Sequence, residues 1–203
     1  MVRRSFLTAA IMLLGVLLAP AIPAAGAADP TAMISNLGSR ALEVLGKDAT
    51  QSQRVERFRQ LLREDFDVPG IARFVLGRYW NTATEGQRTE FTKLFEDYIA
   101  VAYATRLAEY TGETFKVTGS RPEADATIVS SQILRPAGTP PVKVDWRLTG
   151  RNGAYKISDV SVEGISMAVT QRSEFASVIQ HNGGQVQGLI TMLRDKTAGT
   201  ASR

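Results

Sequence analysis

The chain has 203 residues, with 24 Lys+Arg against 20 Asp+Glu, one histidine and no cysteine. Without cysteine there is no disulfide and no thiol to carry a lipid anchor, and a lone histidine without thiolates does not assemble the usual zinc site. The weak positive balance also excludes the strong basic footprint of a nucleic-acid binder.

Residues 1–27 read as an export signal. Arg3 and Arg4 supply a positive start, and an apolar run over residues 6–18 follows. That run is shorter than the roughly 20 apolar residues a membrane span needs. Small residues then end in Ala25-Gly26-Ala27, a pattern that places cleavage before Ala28 and delivery in the periplasm. Arg3-Arg4-Ser5-Phe6-Leu7 is similar to a twin-arginine signal, but an ordinary secretory start has the same charges, so both routes stay open. Residues 28–203 suffice for one compact domain with its own core.

Asp29 and Pro30 open a first helix expected to reach Leu45, where Gly46 stops it. A second helix over residues 52–66 places Val55, Phe58, Leu61, Leu62 and Phe66 on one face among many charges. Asp67 caps a third, which tolerates Pro69 in its first turn and carries an apolar, aromatic stretch from Ile71 to Trp80. Thr84 and Gln87 form a capping box before the longest helix, which is expected to run to about Tyr110. From Phe115 the period becomes alternating. Val142, Val144, Trp146 and Leu148 interleave with Lys143, Asp145, Arg147 and Thr149, which gives one dry and one wet strand face. Asn152-Gly153 makes a tight hairpin, so a meander of about four antiparallel strands is expected. Helical spacing resumes after Gly164, breaks at Asn182-Gly183-Gly184, and returns over residues 186–193.

Catalytic motifs are incomplete. Gly46-Lys47 lacks the partners of a phosphate loop, since Asp48 stands where Ser or Thr is required. Gly164-Ile165-Ser166-Met167-Ala168 is one residue from a nucleophile elbow, but the sole histidine, His181, falls in the very next helix. Ser166 as a helix cap and His181 as a helix-end residue are the simpler readings. Asp145 and Asp159 on neighbouring strands are a possible acid and base, and equally ordinary solvent-facing carboxylates.

Several stretches match a known pattern. Phe66-Asp67-Val68-Pro69 through Leu76-Gly77-Arg78-Tyr79-Trp80, then Glu90-Phe91, then Tyr103 through Tyr110-Thr111-Gly112-Glu113, resemble the MlaC family, also called the toluene-tolerance auxiliary family. Val144-Asp145-Trp146-Arg147, Ile157-Ser158-Asp159-Val160 and Glu163-Gly164-Ile165-Ser166-Met167 through Gln171-Arg172-Ser173-Glu174-Phe175 to Gly183-Gly184 extend the resemblance over nearly all of the mature chain. It implies an α+β fold, with a curved antiparallel sheet of NTF2-like type flanked by helices around an apolar cavity for phospholipid tails. It further implies a monomeric, cofactor-free, non-enzymatic carrier that preserves outer-membrane lipid asymmetry. The implied partners are an outer-membrane lipoprotein complex and an inner-membrane ABC lipid transporter. A hopanoid-associated carrier of the same fold and an NTF2-like envelope enzyme are the alternatives.

Bulk and inward-turned position, not the family, select the candidate lipid-lining residues: Phe74, Val75, Tyr79 and Trp80, then Phe95, Tyr98 and Tyr103, then Trp146, Ile165 and Met167. A filled core draws on the same residue types. Arg78, Arg147 and Arg172 are candidates for a head group or an acidic partner, or are simply solvated.

Overall fold

The computed structural model describes residues 29–44, 49–107, 112–135, 139–151 and 154–198. The expected signal peptide, the Asn152-Gly153 turn and the last turn of the long helix lie outside the described residues.

Helix α1 (Pro30–Val44) begins where the Asp29 carboxylate accepts from the Thr31 amide and hydroxyl, at 2.9 and 2.8 Å. Its Ile34 and Leu37 are buried, and Gly38 leaves room for the Phe115 ring to rest on the helix backbone. Helix α2 (Gln51–Asp65) starts one residue before the expected position, because Thr50 and Gln53 close a capping box there. Helix α3 (Val68–Leu76) has Asp67 as its cap, accepting from the Gly70 amide at 3.1 Å, with Pro69 in the first turn as expected.

The stretch from Ile71 to Trp80 is two helices rather than one. The chain breaks at Gly77, whose φ is +58°, and resumes as the short α4 (Tyr79–Thr82). A side chain at residue 77 would meet Arg172 Nε at 2.8 Å from its Cβ. Both the backbone angle and this close approach demand glycine. Gly77→Ala is therefore expected to destabilise the protein by about 1–3 kcal/mol, measurable as a shift of the urea midpoint at unchanged slope.

Helix α5 (Glu85–Leu107) opens on the Thr84–Gln87 capping box, with both reciprocal bonds formed at 3.1 and 3.2 Å. It lies against α2, where Arg59 pairs with Asp97 at 2.9 Å and Arg63 with Glu96 at 2.7 Å. The sheet has five strands in chain order, every neighbour antiparallel: β1 (Thr114–Glu123), β2 (Ala126–Leu134), β3 (Val142–Arg151), β4 (Ala154–Val162) and β5 (Ile165–Ser166). The fifth strand is only two residues long, too short for an alternating pattern to reveal. Ser166 then caps α6 (Met167–His181), accepting from the Val169 amide at 3.1 Å. His181 ends that helix with its ring Nδ1 2.8 Å from the Ser177 carbonyl. Gly183 and Gly184, both at positive φ, turn the chain into α7 (Val186–Ala198).

Among the described residues, no helix is long and apolar enough to cross a membrane. The interior of the described residues falls into two clusters of buried residues. One is helical and includes Phe91, Phe95, Phe175, Leu189 and Ile190; the other joins Ile34, Leu37 and Leu61 to Val129, Leu148 and Ile157 of the sheet. Phe66, partly buried, packs against both.

Candidate functional site: the dry face of the sheet

Strand register sets which side chains share the inner face. Val129 pairs with Trp146, Trp146 with Val160, Ser131 with Val144, and Val144 with Val162. On the neighbouring strand, Val117 pairs with Ser131 and Phe115 with Ile133. Register shifts between Val117 and Gly119 in β1, and opposite Arg147 and Leu148 in the β3–β4 pair, insert extra residues that bend and twist a sheet.

This face carries a buried hydroxyl, and it is fully employed. Ser131, 2% exposed, donates to the Val144 carbonyl at 3.1 Å and accepts from the Trp146 indole Nε1–H at 2.9 Å. The pairing fixes the indole across the strands and satisfies the polar atoms an apolar ligand would otherwise leave stranded. Trp146 also meets Phe115 edge-on, with ring centroids 6.2 Å apart. The opposite face is wet and charged: Asp145 accepts from Ser130 at 2.6 Å, and Arg147 pairs with Glu123 and Asp125 at 2.7 and 3.1 Å. Arg147 is thus committed to ion pairs on the face turned away from Trp146.

The predicted lining residues fall into three groups. Val75, Phe95 and Tyr79 are buried in the helical cluster, with Trp80 and Tyr98 partly buried against it. Tyr103 is partly buried, stacks on Phe58 at 6.3 Å, and has its phenol pushed above the usual tyrosine range by burial, so it stays neutral. Trp146 stands alone on the sheet side, packed against the second cluster. Met167 is half-buried at the start of α6, whereas Phe74 (42% exposed) and Ile165 (60% exposed) face solvent. Val117, Val129, Val144 and Val160 share the inner face with Trp146; the alternation over residues 142–149 marks Val144 in the sequence, whereas the Ser131 bond has no sequence signature.

The two candidate catalytic carboxylates both have structural partners. Asp159 accepts from Ser166 Oγ at 2.5 Å, from the Ala168 amide at 3.0 Å and from the Val160 amide at 2.8 Å. It ties β4 to the first turn of α6, where a carboxylate also suits the helix dipole. Asp159→Ala is expected to cost about 1–3 kcal/mol and to raise amide exchange first at residues 166–169, which hydrogen-exchange mass spectrometry reads directly.

A depression of about 260 Å³ between α1 and α2 is lined by Arg40, Glu43, Arg57, Gln60, Leu61 and Glu64. Arg40 bridges Glu64 and Asp65 there, at 2.8 and 2.5 Å. Such a charged lining does not suit acyl chains.

The arrangement of helices over one bent face of a meander has a solved counterpart. The fold is that of a phospholipid-binding protein from Ralstonia solanacearum, whose structure was determined in complex with a phospholipid; the TM-score is 0.72 at 24% identity, covering 86% of this chain and 100% of that one. The MlaC protein family model matches residues 36–195. The chain therefore belongs to the MlaC family, a family of phospholipid-binding transport proteins. It is also 23% identical over 128 residues to the intermembrane phospholipid transport system binding protein MlaC of Haemophilus influenzae, an alignment covering 61% of this chain and 59% of that relative.

Proposed function

We propose that this chain is a periplasmic carrier that takes the acyl chains of one phospholipid between the sheet and the helical layer and shuttles it between outer- and inner-membrane complexes. The observation that carries the reading is the MlaC family match over residues 36–195. Among the described residues the helical layer and the inner sheet face each hold a cluster of buried residues, with Phe66 packed against both. Acyl chains inserted between them meet Trp146 and Val160 on one side and Tyr98 on the other. Met167, Phe74 and Ile165 then lie towards the mouth.

The energetics require enclosure. At about 0.8 kcal/mol per buried methylene, two chains of roughly 16 carbons lose on the order of 20 kcal/mol if left in water. A surface groove that shelters a single chain is only marginally adequate. The MlaC family membership and the lipid-bound Ralstonia counterpart support the ligand class. The sequence of residues 1–27 supports export to the periplasm.

Transfer of a labelled phospholipid between donor and acceptor vesicles tests the proposal. Catalytic amounts of the mature protein are expected to accelerate transfer at least tenfold over the spontaneous rate. Transfer at the protein-free rate contradicts a carrier.

A further inference from the structure

Phe74, Ile165 and Val169 are large apolar side chains that remain 42, 60 and 56% exposed. They lie on α3, β5 and the first turn of α6 respectively, elements joined along a shared edge by the packing of α6 on α3 and its direct continuation from β5. Arg172 sits one turn beyond Val169 on α6, and its guanidinium carbon lies 5.2 Å from the centre of the Phe74 ring. Gly77 provides the bare backbone against which that guanidinium rests. Arg78 follows and stacks on the Tyr79 ring at 4.9 Å, donating to its hydroxyl at 2.9 Å, while Arg73 precedes Phe74 and is exposed.

Among the described residues, Arg54, Arg57, Arg88, Arg106 and Arg135 share with these arginines the lack of an ion pair, but Arg73, Arg78 and Arg172 alone are gathered around exposed apolar side chains of α3 and α6. Arg40, Arg59, Arg63, Arg121, Arg147 and Arg194 all reach carboxylates, whereas Arg73, Arg78 and Arg172 form no ion pair among the described residues. Glu174, on the same helix, accepts instead from Gln171 at 3.1 Å. Unpaired guanidiniums are weakly hydrated forks that match phosphate oxygens. Set around exposed aromatic and aliphatic side chains, they reproduce the composition of an interfacial membrane-binding surface.

We propose that this edge docks on an anionic phospholipid surface: the arginines engage the lipid phosphates, and Phe74, Ile165 and Val169 enter the boundary between head groups and acyl chains. The inference rests on the carrier reading and deepens it, because Phe74 and Ile165 also flank the mouth proposed for the lipid. Docking there lets tails pass from bilayer to carrier without crossing open water.

The test is co-sedimentation of the mature protein with vesicles of phosphatidylglycerol and phosphatidylcholine, and with phosphatidylcholine alone. Binding is expected to the anionic vesicles and to fall steeply with added salt. Arg172→Glu is expected to weaken it roughly tenfold. Val169→Glu is the cleaner variant, because position 169 is the third residue after the Ser166 cap, where glutamate completes a capping box and supports the fold; it too should weaken binding about tenfold while bound phospholipid, read by native mass spectrometry, is retained. Wild-type protein that ignores anionic vesicles overturns the proposal, and so do variants that bind as wild type does. Loss of bound phospholipid together with vesicle binding also overturns it, since the edge is then part of the lipid cleft. Arg172-dependent retention on a polyglutamate matrix without vesicle binding overturns it in favour of an acidic protein partner. The carrier reading fails separately, if wild-type protein binds vesicles yet neither holds nor transfers lipid.

Discussion

A Trp146→Glu variant is expected to purify as a folded protein that has lost at least nine-tenths of its bound phospholipid. Trp146 stands on the dry sheet face between Val129 and Val160, and its only polar atom is already bonded to Ser131. On the proposed carrier reading a carboxylate in its place would meet acyl chains and have to be desolvated when they enter, at a cost of several kcal/mol. The indole is only partly buried, so a carboxylate at this position keeps access to water and the far-ultraviolet circular dichroism should be unchanged. Trp146→Phe separates bulk from hydrogen bonding: it should retain lipid while leaving Ser131 without its indole donor. Wild-type lipid content in Trp146→Glu would remove the sheet face from the site.

Phe175→Ala is expected to show the opposite pattern, a large loss of stability with no selective loss of lipid. Phe175 is 2% exposed on α6, and its ring meets those of Phe91, Phe95 and Tyr98 at 5.8, 6.2 and 6.1 Å. Truncation leaves a cavity amid three rings and forfeits the edge-on contacts, together about 3–5 kcal/mol. Against a total stability of about 5–15 kcal/mol that is a large fraction, and urea unfolding measures it. The protein that remains folded should hold phospholipid in the wild-type ratio, because this cluster braces the helical layer from within.

The contrast between Trp146 and Phe175 also marks where sequence reasoning succeeds and stops. Capping chemistry is local, so Thr84 with Gln87, Asp67 and Ser166 could be placed as helix starts from residue type alone, and all three cap as expected. Alternation over residues 142–149 likewise gave the strand and its dry face. Gly77 was harder: its neighbours are compatible with a continuing helix, and the approach of Arg172 from a helix nearly a hundred residues later, which also demands glycine there, has no local signal. The candidate site was legible as a set of bulky residues but not as a geometry. Phe74 and Val75 are adjacent in sequence, yet one is 42% exposed and the other 1%, because a helix turns 100° per residue and nothing local says which face meets α6. The Ser131–Trp146 bond depends on strand register, which a chain without its partner strand does not display.

Native mass spectrometry of the mature protein, purified without detergent, tests the carrier account most directly. One phospholipid per chain is predicted, released when collisional energy unfolds the domain. A single population at the mass of the bare polypeptide, with no lipid in its organic extract, would contradict it.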